Sequence, residues 1–386
     1  MDLTIRIGNL ELANPFIVAA GPPGVTGAAL KRMALGGPGA VVTKSIGVVP
    51  SPGQRLSLTH KTKDKHTLVL SDPWSAHTFQ EWCEREIKIA KEGGVPVIMN
   101  LQAVTHTPVE DIMRMAPMAV EAGADAIELS AFGSSPNVVE GTGIGAVQSP
   151  QRTYDVVRAA KRSVSVPVIA KLLPEPSTLI DLVRACEEGG ADAIASRDTI
   201  FPAVRFDIYT RQPPVARNIG TWMPELSGRA IHENAVGYVV EIYKRTELPI
   251  IGIGGVTTWE DAVEMIIAGA TGVGVCTAAM VEGPRVFRKL VNGLDAYLRD
   301  QNVTMDALRG TGIEGMRQVN ELALHPLTVS IDQDTCNQCN ICHTVCPVQA
   351  VRQADGYNYI VCEECINCGF CIANCPENAI SLAVAG

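Results

Sequence analysis

Two nearly identical runs of cysteine near the end of the chain constrain it more than any other feature. The first run is Cys336-x2-Cys339-x2-Cys342-x3-Cys346-Pro347, and the second repeats it 29 residues later as Cys365-x2-Cys368-x2-Cys371-x3-Cys375-Pro376. This spacing is typical of ligands to [4Fe–4S] clusters, in which the fourth cysteine of each run binds the cluster held by the other run. We therefore predict two clusters, one on Cys336, Cys339, Cys342 and Cys375, and the other on Cys365, Cys368, Cys371 and Cys346.

Structural zinc and disulfide bonds explain these cysteines less well. A zinc site uses two separated pairs of ligands and needs no third cysteine two residues further on, and disulfides need an oxidising compartment. Cys362 lies three residues before Cys365 and is surplus to the pattern. It is either a free thiol or a competitor for the place of Cys365. Because such clusters pass electrons one at a time, the rest of the chain should donate or accept them.

Composition narrows the class of protein. Of the 386 residues, 46% are hydrophobic and 19% are charged, as in well-filled globular cores. The net charge of −9 argues against a nucleic-acid-binding surface. No charged-then-apolar leader and no apolar run of transmembrane length is visible. Nine of the twelve cysteines lie in the tail, which indicates metal binding in a reducing compartment, so we expect a cytoplasmic protein.

The chain before the tail alternates short apolar runs with stretches of helical periodicity that end in Gly-Gly or Ala-Gly. The apolar runs are 16–20, 40–43, 95–100, 126–130, 168–171, 193–196, 250–253 and 272–275. Continuous apolar strands that alternate with helices indicate a parallel sheet buried on both faces. We predict a (β/α)8 TIM barrel over residues 1–315, a linker over 316–328 and a small α+β ferredoxin-like domain of the bacterial 2[4Fe–4S] type over 329–386. A doubly wound sheet is the alternative, but the glycine-rich turn it uses after its first strand is absent.

Barrel enzymes carry their chemistry at the carboxyl ends of the strands. The polar residues that follow the apolar runs are Lys44, Ser45, Asn100, Ser130, Lys171, Asp198, Thr199, Gly254, Gly255, Cys276 and Thr277. Gly254, Gly255 and Thr277 follow the last two strands, where barrels commonly bind phosphate. A lysine at the end of an apolar strand is costly unless it meets an anion or a polar ligand, although Lys44 and Lys171 could instead extend to solvent. A phosphate site joined to one-electron centres predicts FMN, which carries one phosphate and exchanges electrons singly or in pairs.

Residues 1–315 resemble the class 1 dihydroorotate dehydrogenases, and the whole chain is similar to the pyrimidine-reducing subunit of bacterial dihydropyrimidine dehydrogenase. The matching stretches are Asn14-Pro15-Phe16, Val42-Thr43-Lys44-Ser45, Gly123-Ala124-Asp125-Ala126-Ile127-Glu128-Leu129, Ala170-Lys171-Leu172-x-Pro174, Leu226-Ser227-Gly228-Arg229-Ala230, Gly252-Ile253-Gly254-Gly255-Val256 and Val275-Cys276-Thr277, followed by the cysteine tail.

This resemblance implies a complete cofactor site. FMN would lie over the first two strands on Ala20, Gly21, Lys44 and Ser45, with Lys171 at the ring edge and Asn100, Ser130 and Thr199 nearby. Its ribityl chain and phosphate would lie on Gly228, Gly254, Gly255, Cys276 and Thr277. In the family, electrons enter from NAD(P)H through a separate FAD subunit, cross iron–sulfur clusters to FMN and reduce a C=C bond of a pyrimidine.

The substrate contacts depart from the family pattern. The family has Asn-x-Ser-Cys-Pro after strand four, where the cysteine is the general acid, whereas this chain has no cysteine there. Alignment on Pro136 places Ser135 at the acid position, either as proton donor together with Lys171 at the flavin or as a plain turn residue. Asp198 replaces a family asparagine, and the family asparagine after strand three falls near Thr105. An ionised aspartate can only accept hydrogen bonds, so we expect a substrate other than uracil, thymine or orotate.

Segment 200–225 is too long for an ordinary strand–helix loop and predicts a lid over the site. Its Arg205 and Arg211, together with Arg197, would bind a substrate carboxylate or pair with Asp198. Trp222 and Met223 would line the lid or simply pack.

Three hypotheses follow. The first is an FMN and iron–sulfur oxidoreductase that acts on a C=C or CH–CH bond of a small, cyclic substrate. The second is an electron-transfer subunit of a larger redox complex without substrate turnover of its own, and the third is a true dihydropyrimidine dehydrogenase subunit. No nicotinamide-binding fingerprint is visible, so the expected partner is an NAD(P)H-oxidising FAD and iron–sulfur subunit or a ferredoxin. A homodimer within a hetero-oligomer is implied by the resemblance alone.

Overall fold

The protein consists of two compact units, Met1–Gly315 and Met316–Gly386, each described here by itself. The structure is a computed structural model. It describes residues 1–51, 58–62, 64–71, 74–105, 107–130, 149–172, 177–196, 199–200, 202–213, 224–314, 316, 327–354 and 356–384.

The first unit alternates short strands with helices. Its strands are β1 (Ile5–Ile7), β2 (Leu10–Leu12), β3 (Phe16–Val18), β4 (Ala40–Val42), β5 (Ile46–Gly47), β6 (Leu58–Lys61), β7 (Thr67–Ser71), β8 (Val97–Gln102), β9 (Ala126–Leu129), β10 (Val168–Lys171), β11 (Ala193–Ala195), β12 (Glu225–Gly228), β13 (Ile250–Ile253) and β14 (Gly272–Val275). Its helices are α1 (Gly27–Ala34), α2 (Phe79–Glu81), α3 (Ile87–Lys91), α4 (Pro108–Glu121), α5 (Pro150–Ser163), α6 (Leu179–Gly189), α7 (His232–Tyr243), α8 (Trp259–Ile267), α9 (Thr277–Glu282), α10 (Arg285–Asp300), α11 (Met305–Leu308) and α12 (Thr311–Glu314). Short 3-10 turns cover Pro22–Gly24 and Arg229–Ile231, and a π-helical turn covers Trp82–Glu86.

Eight of the strands form a closed parallel barrel. Their order around the barrel is β4, β3, β14, β13, β11, β10, β9 and β8, and β4 pairs with β8 to close it. The predicted TIM barrel is therefore confirmed. Each predicted apolar run contains one barrel strand, and the third begins two residues later than predicted, at Val97. The preceding residue is Pro96, which has no N–H to donate to a sheet ladder.

Burial explains why these sequences form a barrel. Every residue of β3, β8, β9, β10 and β13 is buried, as a sheet covered on both faces requires. The surrounding helices turn an apolar stripe inwards, and in α10 the buried positions are Val286, Phe287, Leu290, Leu294 and Leu298. Full burial of each such large side chain stabilises the fold by about 1.5–3 kcal/mol relative to its exposure.

A three-stranded antiparallel sheet, in the order β12, β7, β6, was not predicted from the sequence. Gly228 at the end of β12 pairs with Thr67 on β7, and Ile200 forms an isolated bridge with Leu226. The hydroxyl of Thr277, the residue after β14 and Cys276, donates to Ser227 Oγ at 3.0 Å. This contact places the small sheet at the carboxyl ends of the barrel strands.

The second unit is an internal duplication. It contains β15 (Leu327–Ile331), α13 (Ile341–Val345), β16 (Val351–Ala354), β17 (Tyr357–Ile360), α14 (Phe370–Ala373) and β18 (Ile380–Val384), with β15 antiparallel to β18 and β16 antiparallel to β17. Left-handed backbone recurs at the 29-residue offset of the cysteine runs, in the pairs Gln338 and Asn367, Asn340 and Gly369, and Gln349 and Asn378. The predicted ferredoxin-like domain is confirmed.

No helix within the described residues is both long enough and apolar enough to cross a membrane.

Asp261 ties the turn after β13 to the start of α8. Its Oδ2 accepts from the backbone N–H and the hydroxyl of Thr257, both at 2.8 Å, and from the N–H of Thr258 at 2.9 Å. Thr258 and Asp261 also form a reciprocal capping box. Burial acts to raise the pKa of Asp261, but these hydrogen bonds outweigh it and hold the pKa below 3.8.

We expect Asp261→Asn to lower the free energy of unfolding by about 1–3 kcal/mol, because an amide accepts these bonds without charge. Glu260→Gln, an exposed change in the same helical turn, is the control and should cost only a few tenths of a kcal/mol. Urea unfolding followed by tryptophan fluorescence measures the first unit, since all four tryptophans belong to it.

The pH dependence of this effect follows from the depressed pKa. A carboxyl group with a lowered folded-state pKa stabilises the protein above its unfolded pKa, and this stabilisation is lost as the pH falls through the folded value. The difference between wild type and Asp261→Asn should therefore stay constant from about pH 8 to about pH 5. A difference that disappears within this range would contradict the assignment.

Candidate functional site

Two buried lysines stand at the carboxyl ends of barrel strands. Lys171 is the last residue of β10 and Lys44 follows β4 by two residues, and each is only 6% exposed. The backbone N–H of Lys44 donates to Gly24 O at 2.9 Å, and Gly24 N–H donates to Gly21 O at 2.9 Å. Lys44 is therefore attached to the turn that follows β3, where Ala20 and Gly21 lie. Buried ammonium groups require acceptors or anions around them.

A polar network lies beside these lysines on β8 and β9. The Asn100 amide nitrogen donates to Glu128 Oε1 at 2.5 Å and to Ser130 Oγ at 2.9 Å, and the Asn100 N–H donates to Thr43 Oγ1 at 2.9 Å. Asn100 is fully buried, and its carbonyl oxygen has no hydrogen-bond partner among the described residues. A buried acceptor without a partner costs about 1–3 kcal/mol, so this oxygen is suited to a bound group with an N–H donor.

The turn after β13 is built around glycine. Gly254 and Gly255 have φ values of 127° and 74°, in the region that favours glycine. A Cβ on Gly255 would lie 2.7 Å from His232 N and 2.6 Å from its Cα. The His232 ring contacts Gly254 O through Nδ1 at 3.2 Å and Glu264 Oε2 through Nε2 at 3.0 Å. His232 is fully buried, and its contact with Gly254 O holds the turn in place.

Sequence reasoning missed His232. It follows the Leu226–Ala230 motif by two residues and opens α7, which is the signal that could have drawn attention to it. A single histidine on an apolar helix is, however, more often a core residue.

Gly228, the last residue of β12 in the small sheet, lies at the same end of the barrel. It has φ 85°, and a Cβ there would lie 1.8 Å from His66 O and 2.9 Å from Thr277 Cγ2. With the Thr277–Ser227 bond, this packing brings together Gly228, Cys276 and Thr277, for which a phosphate-binding role stays a prediction. Ser45 lies at the edge of the site, where its carbonyl oxygen accepts from Ser75 N–H at 2.7 Å.

The predicted substrate residues are only partly described. Thr105 donates its hydroxyl proton to Asp111 Oδ2 at 2.7 Å and accepts from Thr107 N–H at 3.1 Å, so it organises the start of α4. Thr199 follows β11 and precedes the bridge residue Ile200. Ser135, Asp198 and Arg197, like Trp222 and Met223 of the predicted lid, lie outside the described residues.

In the second unit, one cavity is lined by Cys346, Cys365, Cys368 and Cys371, the residues predicted to hold one cluster. Each of the four cysteine thiolates of a [4Fe–4S] cluster binds a different iron, so the cysteine sulfurs surround the space that the cluster fills.

In the described part of the chain, no group of three or more His, Cys, Asp or Glu side chains is arranged to hold a single metal ion.

The sulfur of the fourth cysteine in each run accepts a hydrogen bond from a backbone N–H four residues later. Ala350 N–H donates to Cys346 Sγ at 3.2 Å, and Ala379 N–H donates to Cys375 Sγ at 3.3 Å. Burial acts to raise the pKa of Cys346, but backbone N–H groups of the following residues outweigh it and lower that pKa, which favours the thiolate form that binds metal. Burial raises the pKa of Cys342 and of Cys371. Cys336 and Cys339 lie on the loop before α13.

Comparison with known proteins decides the family. Residues 2–298 match the family model described as dihydroorotate dehydrogenase, and residues 328–376 match the model described as 4Fe-4S dicluster domain. The chain belongs to the dihydroorotate dehydrogenase family. The resemblance to the class 1 dihydroorotate dehydrogenases and the predicted iron–sulfur domain are thereby confirmed.

Similar curated proteins are catalytic subunits of dihydroorotate dehydrogenase B (NAD(+)). The subunit from Methanothermobacter thermautotrophicus is 37% identical over 298 residues, which are 77% of this chain and 93% of the relative. The subunit from Methanocella arvoryzae is 35% identical over 318 residues, 82% of this chain and 100% of the relative. That from Methanocaldococcus jannaschii is 31% identical over 312 residues, 81% of this chain and 98% of the relative.

The two matches together place the protein among flavin oxidoreductases that act on CH–CH groups, with an iron–sulfur domain added in the same chain. An electron-transfer domain of this kind implies a redox partner.

We expect Gly255→Ala to reduce the flavin content of the purified protein and to lower its melting temperature, because a methyl group there collides with His232. Gly94→Ala is the matched control, since Gly94 has the same φ of 74° but nothing within 4 Å of its added Cβ. The control should show only the backbone cost of about 1–2 kcal/mol and full flavin content. Equal flavin loss in both variants would contradict a role for the Gly254–Gly255 turn in binding the cofactor.

Proposed function

We propose that the protein is an FMN and iron–sulfur oxidoreductase that acts on a C=C or CH–CH bond of a small, cyclic substrate. Electrons pass through two [4Fe–4S] clusters between FMN and a partner, which is an NAD(P)H-oxidising FAD and iron–sulfur subunit or a ferredoxin. The observation that carries the proposal is the joining of a dihydroorotate dehydrogenase barrel and a dicluster domain in one chain.

The described residues of the barrel fit FMN. Lys44 and Lys171 bring buried positive charge to the strand ends, and Asn100 offers an unpaired buried acceptor. The glycine turns at Gly228 and at Gly254 and Gly255 expose backbone to a phosphate, together with Cys276 and Thr277. Bound FMN would supply hydride transfer and the conversion between electron pairs and single electrons.

The residues of the chain have separate tasks in this proposal. Lys171 would hold positive charge beside bound FMN and would thereby favour negative charge on it. Ala20, Gly21 and Ser45 hold the ring from the first two strands, and Ser130 and Thr199 complete the cofactor site. Ser135 would donate or accept the proton at the substrate carbon. Asp198 and Thr105 orient the substrate through hydrogen bonds.

The comparison with the catalytic subunits bears on the electron route. The alignment with the Methanocella arvoryzae subunit covers that subunit completely but only 82% of this chain. That relative is named as the catalytic subunit of a dihydroorotate dehydrogenase that uses NAD(+). We infer that this chain carries within itself the iron–sulfur centres through which it meets its electron partner. A partner that oxidises NAD(P)H would then reach the clusters rather than the barrel.

The test is an anaerobic optical and EPR titration of the purified protein, after its iron and flavin have been measured. We expect about eight irons and one FMN per chain. The reduced protein is then mixed with orotate, uracil, thymine and other cyclic compounds that carry a C=C bond beside a carbonyl group. Reoxidation by a compound other than these three pyrimidines supports the proposal.

The other outcomes separate the alternatives. Reoxidation by uracil or thymine identifies a dihydropyrimidine dehydrogenase subunit. A flavin that no compound reoxidises, but that equilibrates with a partner flavoprotein, identifies an electron-transfer subunit. A protein that holds iron but no FMN contradicts the assignment of Lys44, Lys171 and the glycine turn.

Cys346→Ala should lower the iron content from about eight to about four atoms per chain, because Cys346 completes the cluster on Cys365, Cys368 and Cys371. Cys362→Ser is the control. Cys362 is exposed, and its Sγ lies 3.9 Å from Ile360 O, so its loss should leave iron content and EPR signals unchanged. Loss of iron in the control instead would make Cys362 a ligand in place of Cys365.

A further inference from the structure

Glu128 is a buried ionisable group to which the proposed function gives no task. It lies in β9, is 1% exposed, and is the Cα partner of Asn100 on β8. Its Oε1 accepts from the Asn100 amide nitrogen. Burying a carboxylate inside a barrel costs free energy unless hydrogen bonds or ion pairs offset it. A buried carboxylate is therefore a reason to look for the interaction that depends on it.

The contacts of Asn100 decide which way its amide points. The NH2 group of Asn100 faces Glu128 Oε1 and donates to it, which is the orientation that an ionised carboxylate requires because it can only accept. The same NH2 group donates to Ser130 Oγ at 2.9 Å, which occupies its second N–H. The carbonyl oxygen is therefore the part of the amide left for a ligand, and within the described residues it is buried without a partner.

We propose that Glu128 is a positioning residue that holds the Asn100 amide with its carbonyl oxygen available, so that the bound group must donate an N–H there. This inference rests on the proposed function. The ligand chemistry is a ring N–H, such as the pyrimidine-like edge of a flavin carries. A cyclic substrate with a ring N–H carries the same chemistry, and the experiment distinguishes the two sources.

Two substitutions test the orientation. In Glu128→Gln the new amide can donate as well as accept, so the Asn100 amide is free to turn and present N–H groups to the ligand. In Asn100→Asp two carboxylates face each other. We expect each single variant to weaken binding of the N–H ligand about tenfold or more, the equivalent of one hydrogen bond in a buried site.

The double variant Asn100→Asp with Glu128→Gln should restore binding to within about threefold of wild type. In that pair the amide introduced on β9 donates to one oxygen of the carboxylate introduced on β8, and the other oxygen of this carboxylate takes the place of the original amide carbonyl as acceptor. A merely structural role predicts a double variant at least as weak as the weaker single variant. Glu121→Gln, an isosteric change at the exposed end of α4, is the control.

The measurements are the FMN dissociation constant of the flavin-depleted full chain, the dissociation constants of orotate, uracil and thymine as cyclic substrate probes from the flavin absorbance shift, and the melting temperature. Loss and recovery of FMN affinity identify the cofactor as the N–H donor, and the same pattern in substrate affinity with FMN affinity unchanged identifies the substrate.

A double variant no better than the single variants in either affinity overturns the inference. If the single variants fail to fold, a double variant that does not recover the melting temperature overturns it equally. Wild-type protein that binds no FMN instead contradicts the proposed function itself.

Discussion

The hydrogen bonds between β4 and β8 are the constraint on which the barrel depends. They turn an open sheet into a closed one, remove both sheet edges and bring all eight carboxyl ends to one rim. Residues as distant in sequence as Lys44 and Lys171 thereby come to line the same end of the barrel. The polar rim is tolerated because the apolar strands and helices beneath it supply the stabilisation that the buried polar groups do not.

The strand positions and the ferredoxin-like domain were predictable because each has a local signature. A parallel strand buried on both faces reads as a continuous apolar run, so β10, β13 and β14 match their predicted bounds. The spacing of the cysteines likewise predicts Cys346 and Cys365 as ligands of one cluster, and both line one cavity. The glycine turn at Gly254 and Gly255 was likewise visible because φ above zero selects glycine.

The residues that support the site could not be predicted in the same way. His232 and Glu128 act through contacts with residues 22 and 28 positions away in the chain, and nothing local to either residue indicates such a partner. The sheet of β6, β7 and β12 joins segments more than 150 residues apart, with charged residues such as Asp64 in its first turn. A pairing of this kind is specified by tertiary packing rather than by local sequence.

The 29-residue duplication in the second unit has a mechanical consequence. Each half contributes the last cysteine of the other half's predicted ligand set, and β15 pairs with β18 across the full length of the unit. Neither half is therefore an independent folding module, although each has the length and pattern of one. Assembly of either centre brings the two halves together and shortens the loop that the other must close. The two halves are thus coupled through the ligands they exchange, and assembly of one centre should favour assembly of the other.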